Sequence, residues 1–155
     1  MAINFDQRTK IFPATWRDLG GLKQLEKECF PIDAWPLIDL ISVLTFPNVV
    51  RLKAVIEDQI IGFVAGDKRG SKDLSWIATI GVLPSYQRRG IGSKLLIACE
   101  EQLGTSRIRL SVRKSNEPAI FLYESFGYHR IDTWSNYYQD GSDAAVFEKT
   151  CISGL

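Results

Sequence analysis

Two periodicities take turns along this chain, and their order predicts its architecture. Apolar and polar positions alternate through Val49–Ile56 and fill residues 60–67 after the polar segment Glu57-Asp58-Gln59, which predicts an antiparallel hairpin. Earlier, Leu19, Leu22, Leu25 and Cys29 recur at helical spacing behind Thr15-Trp16-Arg17-Asp18. That tetrad has capping-box form, so a helix starts there and ends near Cys29. Residues 10–14 read as a first strand and 37–44 as a second helix. The loop 30–35 between the helices is broken by Pro31 and closed by Pro36. Residues 67–73 form a polar turn, and 74–83 a fourth strand. Ile91, Leu95, Leu96, Cys99 and Leu103 then share one helix face, with Gly104 as a stop. Residues 107–112 are a fifth strand. Asn116 caps a short helix reaching about residue 126, with Pro118 tolerated in its first turn and Gly127 behind it. Residues 128–138 and 144–149 complete the pattern as two strands around Gln139-Asp140-Gly141-Ser142.

Strands and helices interleave without repeat, low-complexity tract or linker. The expected fold class is therefore α/β: one domain over 1–155, its core at about 10–149, with a mixed, largely antiparallel sheet of about seven strands flanked by about four helices. At 155 residues and 45% hydrophobic content the chain can bury one core without staples. Lys and Arg number 19 against 18 Asp and Glu, which argues against nucleic acid or an anionic membrane as the main partner. Cys29, Cys99 and Cys151 form no C-x-x-C pair, so neither a disulfide framework nor a zinc site is expected. The first ten residues are polar and unlike a signal peptide, and no apolar run reaches the ~18 residues of a membrane span. A reducing cytoplasm is the expected setting, and no metal is expected.

The candidate chemistry centres on Gln87-Arg88-Arg89-Gly90-Ile91-Gly92-Ser93, between the fourth strand and the helix over 91–103. A chain that leaves a strand, turns through glycines and enters a helix aims several N–H groups at one spot, where the helix dipole is positive. Two arginines suit an anion of more than one charge, such as a pyrophosphate. A Walker loop, G-x-x-x-x-G-K-S/T, is absent, and Leu95 stands where a dinucleotide fingerprint needs its third glycine.

What remains, Q/R-x-x-G-x-G/A between a strand and a helix, resembles the coenzyme A pyrophosphate loop of the GNAT superfamily of N-acetyltransferases. Residues 116–128, from Asn116 through Ala119 and Tyr123 to Gly127-Tyr128, match that superfamily's N-x-x-A-x-x-x-Y-x-x-x-G-F/Y signature at every specified position. The resemblance covers roughly residues 10–149. Cys29-Phe30-Pro31 with Trp35, and Asn136-Tyr137-Tyr138 with Asp143-Ala144, resemble the branch that contains ribosomal-protein alanine N-acetyltransferases.

The resemblance implies acetyl-CoA as cofactor and a fourth and fifth strand that splay to hold the pantetheine arm. Gln87, Arg88, Arg89, Gly90, Ile91, Gly92 and Ser93 would hold the pyrophosphate, and Ile80, Gly81 and Val82 would pair with the pantetheine amides. Near Val82 a backbone N–H would face the thioester oxygen as an oxyanion donor. Asn116 would contact the pantetheine. Tyr123 would be the general acid, since a phenol of pKa about 10 can protonate a thiolate of pKa about 8.5 as the carbon–sulfur bond breaks. Phe30, Asp33, Ser111, Tyr137 and Tyr138 would form the acceptor side. In the branch, a glutamate on the fifth strand is the usual base, and Ser111 stands at that position. Asp33 and Glu28 are conceivable carboxylates, and His129, the one histidine, reads as structural. At pH 7 an α-amine is about a tenth neutral and a lysine well under a thousandth, so a site without a strong base fits an α-amine better. The implied acceptor is a primary amine, foremost a protein or peptide N-terminus, taken by a monomer or homodimer. The alternatives are a small amine (polyamine, amino acid or drug) and a non-catalytic acyl-CoA-binding module.

Overall fold

The computed structural model describes residues 8–33, 37–68 and 73–151. Trp35, Pro36, the first seven residues and most of the polar turn expected at 67–73 lie outside them. One sheet organises the described residues, with strand order β1-β2-β3-β4-β5-β7-β6. The strands are β1 (Lys10–Pro13), β2 (Val49–Ile56), β3 (Gln59–Asp67), β4 (Leu74–Val82), β5 (Arg107–Arg113), β6 (His129–Trp134) and β7 (Ala144–Thr150). The helices are α1 (Leu19–Cys29), α2 (Leu37–Thr45), α3 (Ile91–Leu103) and α4 (Glu117–Ser125). Every neighbouring pair is antiparallel except β4 with β5, so the sheet is mixed and largely antiparallel as the patterning predicts.

The β2–β3 hairpin turns on Glu57 and Asp58, both left-handed at φ 48° and 65°, and closes at Ile56 opposite Gln59. It is a two-residue turn rather than the three-residue one expected, because that geometry matches the twist of the flanking strands. β2 alternates half-buried with buried positions, whereas residues 61–66 of β3 are all buried. Such a run needs cover on both faces. α3 covers one: a Cβ on Gly66 would lie 2.9 Å from Cys99 Sγ and from a Leu103 methyl. The C-terminal end of α1 covers the other. Gly81 pairs with Phe63, and a Cβ on Gly81 would lie 3.1 Å from the Phe30 ring.

Two features of β4 open a space in the sheet and direct a side chain into it. Its ladder with β5 spans only Leu74 with Arg107, Ser75 with Ile108, and Trp76 with Arg109. Beyond Trp76 the strands diverge while β5 stays paired with β7 along its length. Second, the register with β3 slips at Ala65/Gly66, which face Thr79 and Ile77, so Ala78 is the extra residue of a bulge. Bulges re-aim side chains, and this one turns Thr79 toward α1.

Two further expectations need correction. The capping tetrad starts a short 3-10 turn over Trp16–Asp18, and α1 proper begins only at Leu19. The Asp18 carboxylate still accepts from the Thr15 N–H at 2.8 Å, but it also meets Lys53 Nζ at 2.8 Å, a tertiary pull absent from local pattern. The strand expected over 128–138 stops at Trp134. Asn136 is left-handed at φ 52° and its N–H donates to Asp143 Oδ1 at 3.0 Å, which ends the ladder. Tyr137 and Tyr138 therefore sit in the β6–β7 loop, not in a strand.

Candidate functional site

Two depressions meet in the opening between β4 and β5. The first is a groove of about 510 Å3 along the end of β4, the loop after it and the start of α3. Gly90 caps α3 in the left-handed region at φ 76°, a conformation that costs most residues roughly 1–2 kcal/mol. Lys94 N–H donates to Gly90 C=O at 3.0 Å, the first bond of the helix. The N–H groups of Ile91, Gly92 and Ser93 therefore have no carbonyl within the helix, and all three residues line the groove with Arg88. Gln87 also lines it, and its Nε2 donates to Val82 C=O at 3.1 Å, bracing the loop on the end of β4. Arg89, expected at the pyrophosphate, stands apart from this lining: its guanidinium lies over the Tyr86 ring, 5.1 Å from the centroid. Ile80, Gly81 and Val82 form the groove wall, beyond the last residue of β4 that pairs with β5. Helix N–H groups at one end and an unladdered strand edge at the other fit a ligand that carries a polyphosphate followed by a chain of amides.

The second depression, of about 220 Å3, lies between the two strands. Thr79 of β4, Ser111 and Arg113 of β5, Glu26 of α1, and Tyr137 and Tyr138 of the β6–β7 loop line it with Asp33. Phe30, Ile80, Asn116, Ala119 and Tyr123 line both depressions, so these residues mark where the two spaces join.

Tyr123 is held at that junction by α4. Asn116 caps the helix as expected, its Oδ1 accepting from the Ala119 N–H at 3.3 Å. Ala119 lies one turn before Tyr123 and keeps the space above it open. The Tyr123 ring is 6% exposed and meets the Tyr128 ring edge-on at 6.0 Å. Burial, with Tyr138 nearby, raises its pKa above the usual phenol value, so the hydroxyl keeps its proton at neutral pH.

Asp33 reaches the cleft wall, but as the partner of Arg113. Arg113 Nη2 meets Asp33 Oδ1 at 2.7 Å and its Nε meets Oδ2, a bidentate fork. The same guanidinium donates to Asp140 Oδ2 at 2.9 Å and lies over the Tyr138 ring at 4.3 Å. The Ser142 N–H and then Arg113 hold the Asp140 carboxyl down at about 2. One cation thus ties the segment after α1, the end of β5 and the β6–β7 loop together. Tyr138 stacks edge-on with Tyr137, whose ring follows Trp134 and Trp76 at centroid spacings of 5.0, 5.3 and 5.8 Å in turn. Glu28 and His129 line neither depression. Glu28 is exposed and accepts from Gln24 Nε2, while His129 is exposed at the start of β6.

Glu26, Arg113 and Asp140 belong to this site although the sequence motifs do not single them out. For Glu26 a signal exists. It falls within the apolar stripe of α1, one residue after Leu25 and four after Leu22, where a charge is out of pattern. It is 2% exposed and accepts from Thr79 Oγ1 at 3.2 Å. Arg113 and Asp140 carry no comparable mark.

A family model described as the acetyltransferase (GNAT) family matches residues 19–128. N-alpha-acetyltransferase 50 of Danio rerio is 32% identical over 154 residues, spanning 94% of this chain and 90% of that protein. The N-alpha-acetyltransferase RimI of Mycobacterium tuberculosis is 33% identical over 140 residues, 87% of this chain and 88% of that one. Among solved structures, the ribosomal-protein-S18-alanine N-acetyltransferase of Escherichia coli superposes with a TM-score of 0.82 at 26% identity, covering 95% of this chain and 98% of its own.

Proposed function

Because this chain belongs to the acetyltransferase (GNAT) family, we infer that it transfers the acetyl group of acetyl-CoA to the N-terminal α-amine of a protein or peptide. The observation that carries this reading is the junction. A groove with helix N–H donors and a strand edge beyond the β4–β5 ladder joins, at Tyr123, a cleft of about 220 Å3 lined by Phe30, Tyr137 and Tyr138. Acetyl-CoA supplies the acetyl group as a thioester. The N–H groups of Ile91, Gly92 and Ser93 with Arg88 hold its phosphates, and Ile80 to Val82 fix the arm. A backbone N–H near Val82 would be the donor for the acyl oxygen. Tyr123 gives its proton to the departing sulfur. Phe30, Tyr137 and Tyr138 enclose the first residue of the acceptor, while Asp33 works through Arg113 rather than as a base. Arg113 pairs with both Asp33 and Asp140, so this rim keeps about one net negative charge rather than two and draws a polyamine only weakly.

We place the protein in the cytoplasm as a monomer or homodimer that acts without nucleic acid or membrane. Its described cysteines are free, and no helix among the described residues is long and apolar enough to cross a membrane.

The test is a peptide panel with acetyl-CoA, read by thiol release and by mass spectrometry of the acetylated position. Peptides with a free N-terminus become acetylated at that amine, with a preference set by the first residue. A peptide with a blocked N-terminus and a free internal lysine stays unmodified. Equal rates for the blocked and free forms would end the α-amine reading while leaving the acetyltransferase itself standing. An intact ligand groove with no turnover of any amine would leave only an acyl-CoA-binding module.

A further inference from the structure

Ser111 cannot take a proton from an ammonium group at neutral pH, yet the acceptor must lose one before it attacks. Three carboxylates stand near enough to be considered. Asp33 is locked in the Arg113 fork, and Glu28 is exposed and outside the cleft. Glu26 differs from both. It lines the acceptor cleft with Ser111 and Tyr123, at 2% exposure, on the wall opposite β5. Its Oε1 accepts from Thr79 Oγ1 at 3.2 Å, and the bulge at Ala78 is what turns Thr79 to it. A charged side chain in the apolar stripe of a helix, aimed at a reaction cleft and oriented by a hydroxyl, is the arrangement expected of a base held in place by a second group.

We propose that Glu26 is the proton acceptor for the amine, and that Thr79 orients its carboxylate. This rests on the assignment of acyl transfer to this cleft. Glu26 takes one proton from the acceptor ammonium through a bridging water. The freed nitrogen then bonds to the acetyl carbon as the carbon–sulfur bond breaks. Sulfur takes the phenolic proton of Tyr123, and the second proton of the nitrogen restores the phenol. The net release is one proton, which Glu26 returns to solvent. This puts the base on α1, facing the same cleft as Ser111 of β5.

Glu26→Gln keeps the shape and can still accept from Thr79, but it cannot take a proton. Two matched peptides test it at pH 7, one ending in an ordinary α-amine and one in an aminooxy group, which is already neutral. The wild type acetylates both. In Glu26→Gln, turnover of the α-amine peptide falls about a hundredfold, the scale of a lost proton-transfer group, while the aminooxy peptide loses less than about tenfold. Acetyl-CoA affinity, measured by calorimetry, stays within about twofold and shows that the variant is folded. Thr79→Val, which leaves the carboxylate but frees it, gives a smaller loss confined to the α-amine peptide, and it serves if Glu26→Gln does not fold. Equal losses on both peptides would make Glu26 a structural group and overturn the proposal, as would no loss on either. A wild type that acetylates neither peptide overturns the assignment of acyl transfer, and the proposal falls with it.

Discussion

The acid role proposed for Tyr123 rests on where α4 puts it rather than on any special neighbour. Burial keeps its hydroxyl protonated at neutral pH, and the junction brings it to both spaces. Tyr123→Phe removes one oxygen and leaves the ring against Tyr128, so the fold and acetyl-CoA affinity persist while turnover falls about a hundredfold where chemistry limits the rate. An unchanged single-turnover rate would remove Tyr123 from the mechanism. Asn116, Ala119, Tyr123 and Gly90 are legible in the chain because their work is done through local backbone geometry: a cap, a spacing of four, a left-handed turn. Glu26 is not, since a glutamate in an amphipathic helix is by default a solvated charge. What makes it otherwise is Thr79, 53 positions later, and no local window contains both. Asp33 looks like a lone carboxylate in the chain for the same reason, its partner Arg113 being 80 positions away.

The strands and helices themselves follow the two periodicities closely, and they depart from them where tertiary contacts intervene. α1 yields its first turn to the Lys53–Asp18 pair, and β6 ends early because Asn136 turns to Asp143. The fit of α3 on β3 is the contact most open to trial. Gly66→Ala would place a methyl 2.9 Å from Cys99 Sγ and a Leu103 methyl, so it should cost about 1–3 kcal/mol in urea unfolding. Gly20, near the start of α1, has no heavy atom within 4 Å of an added Cβ. Gly20→Ala should instead stabilise by about 0.5–1 kcal/mol, because it only removes backbone freedom from the unfolded chain. If Gly66→Ala is neutral or stabilising, α3 does not pack on β3 this tightly. Alternation in β3 is hidden by burial on both faces, and what identifies it as a strand is its hairpin with β2.

Among the described residues, the thiols and phenols withdrawn from solvent lean one way. Burial pushes the Cys29 and Cys99 thiols up to about 12, with weaker contributions from nearby glutamates. Tyr123 and Tyr128 are raised by burial as well. A group whose folded pKa is raised holds its proton longer in the folded state. The stability it gives is complete below the unfolded pKa, about 8.5 for a thiol and 10 for a phenol, and is lost as pH rises toward the folded value. The melting temperature should therefore be flat near neutrality and fall steadily from about pH 9 to 12. A melting temperature unchanged at pH 11 would contradict this burial. The Tyr123 phenol stays protonated through the range in which an α-amine becomes neutral, so, if it is the proton donor proposed above, activity climbs with pH before the fold gives way.

The short ladder between β4 and β5 leaves the two halves of the sheet joined at one end only. Past Trp76, no backbone bond of that ladder holds β1 to β4 against β5 to β7 among the described residues. A ligand lying along the open edge is then a missing strand, and its occupancy is also a cross-link. At a hundred times its dissociation constant such a ligand adds about 2.7 kcal/mol to stability by mass action. Part of that gain is cohesion between the halves, so the cell's acetyl-CoA level would set not only how fast this protein works but how tightly it is closed.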